Sequence, residues 1–475
     1  MKRETRNLIF IFLGAFFIRI LFALVFPVKS WDETVYANLG YNLAHNFFDY
    51  SFNHGWSDYI PFSHGLYSFP NAGFRAPLLP VFLSFFYFLK LDFLVPFFIP
   101  FVGALSAILI YFLGKSLFNK KAGFYSSIFL AILPLHVIYS GRILTGILFT
   151  FFILLTFLSF WKGFEKDDKK YKLFFGFFFA LALLSRYTAL WVAPVFLIYL
   201  LVRDKSLKFL RDKGLWESIG IFFLVLVPWF IYGKIHYGNF LGAFIHGAKA
   251  AAYWGGVQEW FFFFSNWNQM FSLIGLVFIA SLIYIVYKKK FFYSEVYLIL
   301  IWFIVFLGIA ILMPHKEDRF ILAITPTICL LSGFFMSKLK GRKLFVLIVI
   351  ASLILLLFSL LNFYKEYNSD SDKCFLEANN FLGSVEANSL IVTDQSSVVY
   401  FYTHKETNYF PNPWDMYVIE GYSLGDVPVY LFFTDYDFDL DSDEDFLIKK
   451  SLDENFDNVF ECSLGGNYST IYRLN

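Results

Sequence analysis

Apolar stretches long enough to cross a bilayer recur down this sequence, and no other feature narrows its fold as much. About twenty consecutive apolar residues carry a helix through the hydrocarbon. Spans are expected at 8–27, 93–114, 122–140, 143–161, 172–185, 187–202, 217–233, 269–287, 295–313, 320–337 and 343–363. That makes about eleven by the hydropathy criterion. Composition agrees: 58% of the 475 residues are hydrophobic, only 16% are charged, and 68 are Phe. A soluble domain carries about a quarter charged residues, and Phe in this number suits a lipid-facing surface. Disorder and a nucleic-acid-binding module are excluded on the same grounds. The 8–27 segment is too long for a cleaved signal, lacks a small-residue cleavage site and leads into further spans. The short apolar stretch 77–89 reads as an interfacial or half-inserted helix.

Charge selects an orientation. Basic residues gather at the N-terminus (Lys2, Arg3, Arg6) and in alternate loops near 115–121, 162–172, 203–213, 288–290 and 338–343. The intervening loops hold few. By the positive-inside rule these alternate loops and the N-terminus are cytoplasmic. An odd number of spans then puts the C-terminus outside a multi-pass protein of the cell membrane.

The tail changes character. Residues 1–364 read as the membrane domain, with 28–76 as its first outer loop. Residues 365–475 are polar and acidic, with turn signals at Asn412-Pro413 and Gly465-Gly466. Strand-like runs at 389–393, 427–433 and 469–473 alternate with helical patches at 371–382 and 443–452. This reads as a small extracytoplasmic α/β domain. Asn467-Tyr468-Ser469 is a glycosylation sequon. Cys374 and Cys462 both fall here, and a disulfide is compatible with an external location. With Cys329 they make three cysteines, too few for a disulfide scaffold and without metal-ligand spacing.

The outer loops collect the conspicuous polar residues. Asp32 and Glu33 follow the first span closely, so they sit at the outer bilayer face. A partly desolvated carboxylate there serves as a general base; an acidic pair opening a helix over 33–46 serves equally as an N-terminal cap. His315, Lys316 and Arg319 place three donors within five residues, which suits a phosphate. The other reading is a solvated loop in which Glu317 and Asp318 neutralise the cations. Arg142 and Arg186 occupy very short outer turns, and so need a partner, an aqueous cavity or a snorkelling route to the interface. Arg19 lies inside the first span, where it should face a polar cavity or pair with an acid. His54, His64, His236 and His246 match no zinc spacing and read as surface histidines. Trp56 and Asp58 add to the first loop's polar content.

These pieces, in this order, resemble the GT-C class of membrane glycosyltransferases. An Asp-Glu pair just after span one, followed by a basic-x-Pro element (Arg75-Ala76-Pro77), is similar to the first outer loop of protein O-mannosyltransferases and lipid A aminoarabinose transferases. His315-Lys316-Glu317-Asp318-Arg319-Phe320 resembles the His-Lys-Glu-x-Arg-Phe signature of dolichol-phosphate-mannose-dependent transferases. The resemblance implies an all-α polytopic domain, followed by the α/β domain. It also implies a polyprenyl- or dolichyl-phosphate sugar donor, such as one carrying mannose, and a protein, lipid or glycan acceptor. Asp32 would then be the base, assisted by Glu33, with inversion at the sugar carbon. Arg75, Arg186, His315, Lys316 and Arg319 would hold the donor phosphate, and Arg19, Arg142, Glu317 and Asp318 would add polar groups. Some relatives bind a divalent metal through acids that are absent here. The turn Gly141–Gly146 has none, and Phe74 precedes Arg75, so a metal-independent site is expected. A transporter or flippase would show internal repeats and polar residues at mid-membrane. An O-antigen-ligase-like polymerase would use a diphosphate-linked donor.

Overall fold

The computed structural model describes residues 3–25, 28, 30–51, 73–253, 257–339, 342–367, 370–409, 416–424, 426–434, 443–464 and 467–475. Nine of the described helices are long and apolar enough to cross a membrane, or ten if the bent pair Lys120–Ile132 and Pro134–Ser140 is one span. They account for every expected stretch except 172–185. That stretch lies in a 17-residue helix, Lys169–Ser185, whose first turn carries lysines. Leu78–Phe88 is a separate short apolar helix.

The described chain forms two compact units. One comprises 1–26, 73–82 and 91–360; the other comprises 27–72, 83–90 and 361–475. In the first unit, Asp318–Lys338 and Thr145–Glu165 are the innermost spans, 83% and 78% buried over their apolar windows, against 17% for Arg3–Val25. The outer helices turn large apolar side chains outward, among them Phe10, Phe17, Leu224 and Phe358, as helices facing lipid must. Glycine sets close helix crossings. A Cβ on Gly123 would strike the Tyr111 carbonyl, and one on Gly333 would lie 2.7 Å from the Ala122 carbonyl. Lys120–Ile132 is thereby packed closely between Val95–Leu117 and Thr325–Lys338.

Among the described residues Arg19 has no acid as partner. It is fully buried, and its fork reaches the carbonyls of Leu130 (3.0 Å) and Ala131 (2.9 Å). These carbonyls need a donor because the chain bends by 56° after Ile132. The residue four positions after Leu130 is Pro134, which has no N–H. Arg19 Nε also donates to Ser140 Oγ at 3.2 Å, and Nη2 lies 3.0 Å from His136 Nδ1. Arginine has no acceptor, so that imidazole nitrogen accepts.

The second unit contains a five-stranded sheet: β1 (Leu390–Thr393), β2 (Thr407–Tyr409), β3 (Val429–Thr434), β4 (Asp457–Leu464) and β5 (Asn467–Arg473). The order is β2-β1-β3-β5-β4. β1 runs parallel to β2 and β3, while β5 runs antiparallel to β3 and β4. Alternation along β3 splits the core. Tyr430 and Phe432 pack with Ala378, Leu382 and Val399 on one face. Leu431 and Phe433 pack with Ile419 and Leu452 on the other. Helices therefore cover both faces, which makes the tail α/β. A disulfide joins Cys374, on the Asp370–Ser384 helix, to Cys462 on the edge strand β4.

Candidate active site

The two acids lie in the second unit. Both stand in the first turn of the helix Trp31–His45, where unpaired backbone N–H groups favour carboxylates. Ser30 is the N-cap residue, but its side chain makes no capping bond. The acids are not equivalent. Glu33 is buried, 1% exposed, and lies in the field of Tyr402, whose hydroxyl is pushed up to about 12 by burial first and by Glu33 second. Asp32 is only half-buried. Of the pair, Asp32 is therefore the more exposed acid.

The cationic residues lie in the first unit, and the structure brings their segments together. Tyr187 does much of this. Its hydroxyl donates to the Gly73 carbonyl at 2.7 Å and lies 3.3 Å from that of Arg75. It accepts from Trp229 Nε1 at 2.9 Å. The neighbouring Arg186 guanidinium lies over the ring of Phe320, 5.3 Å from its centre, next to Arg319. Segments 73–75, 186–187 and 319–320 are thus linked through one tyrosine and one arginine. The Gly242–Tyr253 helix closes in on them at Gly247, where a Cβ would lie 2.5 Å from the Tyr187 ring and 3.1 Å from the Phe74 carbonyl. Tyr139, at the end of the bent pair, lies in the fields of Arg142, Glu317, Asp318 and Arg319.

Within 315–320 the groups divide. His315 Nε2 donates to Glu317 Oε1 at 3.0 Å, and Arg319 Nη2 donates to the same oxygen at 2.8 Å. Glu317 thus balances Arg319, as the solvated-loop reading anticipates. Asp318 is half-buried, and its Oδ1 has no hydrogen-bond partner among the described residues. Lys316 differs from the phosphate-binding expectation. It is 5% exposed, and its ammonium donates to the carbonyls of Met313 (2.8 Å) and Gln258 (2.9 Å), with Pro314 at 3.5 Å. Its protons staple two chain segments rather than await an anion.

His236 and His246 are half-buried rather than surface groups. They stack on Tyr232 (4.3 Å) and Tyr237 (4.4 Å). Burial, then the charge of Lys249, pushes the His246 imidazole below its ordinary value. A Cβ on Gly73 would lie 2.7 Å from both of these tyrosine rings. The aromatic wall is therefore a mould for the backbone that leads into Arg75. In the sequence Tyr139, Tyr187 and Tyr237 carry no signal beyond the adjacency of Tyr187 to Arg186. His54, Trp56, Asp58 and His64 lie outside the described residues. Among the described residues no three His, Cys, Asp or Glu side chains form a metal-ligand group.

The model of the dolichyl-phosphate-mannose-protein mannosyltransferase family matches residues 75–232. The match starts at Arg75, takes in Arg142 and Arg186, and leaves out the Asp-Glu pair and 315–320. No curated protein matches the sequence significantly. Among solved structures, ArnT from Cupriavidus metallidurans bound to undecaprenyl phosphate superposes with a TM-score of 0.70 at 11% identity. The match covers 98% of each chain. The Archaeoglobus fulgidus oligosaccharyltransferase tethered to an acceptor peptide with an NVT sequon gives 0.60 at 15% identity, over 99% of this chain and 74% of that one. AglB from the same organism, in complex with an inhibitory peptide and a dolichol-phosphate, gives 0.57 at 14% identity, with the same coverage. At these identities the likeness shows a shared fold.

Proposed function

We propose that this chain, a GT-C-class membrane glycosyltransferase by its family match and its fold, moves a sugar from a polyprenyl-phosphate donor to an acceptor hydroxyl. The observation that carries the reading is the joining of Arg75, Arg186 and Arg319 by the Tyr187 bracket and the Phe320 ring. Guanidiniums from three distant segments, set on a pinned backbone, suit a phosphate whose charge grows as it leaves. The undecaprenyl phosphate and dolichol-phosphate named with the similar structures support that donor class. The family description makes mannose the first sugar to try.

The roles follow. Asp32 takes the acceptor's proton. The acceptor oxygen attacks the sugar's anomeric carbon from the side opposite the phosphate. The carbon–oxygen bond to phosphate breaks, the configuration inverts, and the polyprenyl phosphate leaves with the electron pair. Arg75, Arg186 and Arg319 stabilise that phosphate. His315 and Glu317 set the charge around Arg319, and Lys316 acts by shaping the loop that carries them. Glu33 supports Asp32 from its buried position. Arg142 and Asp318 complete the polar surroundings. The basic loops and the N-terminus lie on the cytoplasmic side, so transfer occurs on the outer face, where residues 365–475 also stand. A disulfide in that tail is consistent with this location.

The test is sugar transfer in membranes supplied with labelled polyprenyl-phosphate sugars, comparing wild type with Asp32→Asn and Arg186→Ala. Asp32→Asn is expected to abolish transfer while donor still binds; Arg186→Ala is expected to weaken donor use. Equal transfer in wild type and Asp32→Asn would remove the base assignment. No transfer from any lipid-phosphate sugar would remove the donor class.

A further inference from the structure

The second unit holds the Trp31–His45 helix by directional bonds, and these bonds fall on either side of the acidic pair. Its contact face runs Thr34, Asn38, Tyr41, which is one helical stripe. Against it lies the Ser396–Thr403 helix, which follows β1. Asn38 Nδ2 donates to the Ser397 carbonyl at 2.8 Å and reaches Ser397 Oγ at 3.2 Å. Ser397 Oγ lies 3.0 Å from Thr34 Oγ1, which is 3.0 Å from the Trp31 carbonyl. An amide nitrogen only donates. The order that uses every proton therefore runs from Asn38 to Ser397, from Ser397 to Thr34, and from Thr34 to the carbonyl of Trp31. The relay ends on the residue before Asp32. On the other side of the pair, the Tyr402 hydroxyl donates to the Val28 carbonyl at 3.0 Å. Tyr41 then stacks on His404 at 4.5 Å.

Thr34, Asn38 and Ser397 are all buried. Apolar side chains would bury the same face without any demand on angle. A buried polar relay instead admits one register, since a shift strands its donors. More than 350 residues separate the two sides of this contact in the chain, as Asn38 and Ser397 show. The contact is therefore a property of the folded tail and not of the outer loop alone.

We propose that Ser397 and Tyr402 are positioning residues that hold the Asp32 carboxylate at its working place, making the C-terminal sheet domain a part of the catalytic apparatus. This rests on the reading of Asp32 as the base. A misplacement of about 1 Å at a reacting group can cost on the order of a hundredfold in rate. The lost bonds all lie within the second unit.

The experiment measures kcat and the donor KM of the full-length protein for Ser397→Ala, Ser397→Thr, Tyr402→Phe and Asp32→Asn. Hydrogen exchange of the β3 and β5 amides is followed in parallel, to show that the sheet stays folded. The expected result is a kcat lowered at least tenfold in Ser397→Ala and Tyr402→Phe, with donor KM changed less than twofold and exchange unchanged. Ser397→Thr, which keeps the hydroxyl, should recover most of the rate. Wild-type kcat in both Ser397→Ala and Tyr402→Phe, while Asp32→Asn is dead, overturns the positioning role alone. A rate loss that Ser397→Thr does not recover, or that appears only with faster exchange, makes the contact ordinary packing and also overturns it. An active Asp32→Asn removes the base assignment and this inference with it.

Discussion

Replacing Arg19 by leucine should destabilise the membrane unit by roughly 4 kcal/mol or more, although it removes a charge from the middle of a span. Two effects share one sign. The first is local. The Leu130 and Ala131 carbonyls take their donors from the Arg19 fork, and a leucine side chain would leave both bare at a depth without water. A buried unsatisfied group costs about 1–3 kcal/mol, so the pair costs at least about 2. The second concerns the separated helices. An arginine on a lone span costs about 2.5–3.5 kcal/mol at the bilayer centre, and packing against the bent pair relieves that cost. The leucine variant has nothing to relieve, so this drive to associate disappears. Reversible unfolding in lipid bicelles reads the sum, and Arg19→Lys should recover part of it, since an ammonium can serve the carbonyls without a planar fork. His136→Leu and Arg19→Leu should combine non-additively, because the residues share a bond. A midpoint for Arg19→Leu equal to wild type would refute the argument.

Three further expectations follow from named contacts. Removing the Cys374–Cys462 bridge, whose cysteines are 88 residues apart, should cost the sheet unit about 4.6 kcal/mol by the loop-closure relation. Hydrogen exchange of β3 and β5 in the full chain, with and without reductant, checks this, and unchanged exchange would count against it. Lys316→Ala should lower the thermal midpoint more than Arg319→Ala does, whereas Arg319→Ala should raise the donor KM more; the opposite ranking would return Lys316 to the phosphate. Glu386 is held below its ordinary 4.5 by the Tyr430 hydroxyl first, with Arg473 contributing. A lowered carboxyl stabilises fully above that ordinary value and loses its contribution as pH falls through the folded value. Tyr430→Phe should therefore flatten the acid limb of the sheet unit's stability below about pH 4.5, and an acid limb identical to wild type would sink the assignment.

The spans were legible because a bilayer demands unbroken apolar length, and length is written in the sequence. What periodicity missed was the bend after Ile132, though Pro134 stood in plain sight. A stretch of twenty apolar residues reads the same straight or broken. In the tail, β1, β3 and β5 were visible through their buried β-branched and aromatic runs. β4 was not, because an edge strand that is mostly exposed carries little apolar pattern. β2 has three residues and offers too short a signal. The candidate residues stood out as polar groups between apolar stretches, but what each side chain bonds was hidden. Nothing in the spacing of Lys316 says that its ammonium turns back onto the carbonyls of Met313 and Gln258. Nothing in that of Tyr187 says that it pins Arg75's backbone.

Two buried cations, Arg19 and Lys316, follow one physical logic. Arg19 serves the carbonyls at the Pro134 break, and Lys316 those beside Pro314. Both mend backbone where helical bonding stops, which is what a low-dielectric setting requires before any other use of a charge. Arg186 differs in kind. Its guanidinium lies on an aromatic face, which attracts a cation through its quadrupole, a contact that by itself uses no N–H donor. Stacking thus fixes the plane of a guanidinium through its face rather than through its N–H edges. On these contacts the proposed phosphate role falls to Arg186 rather than to Lys316.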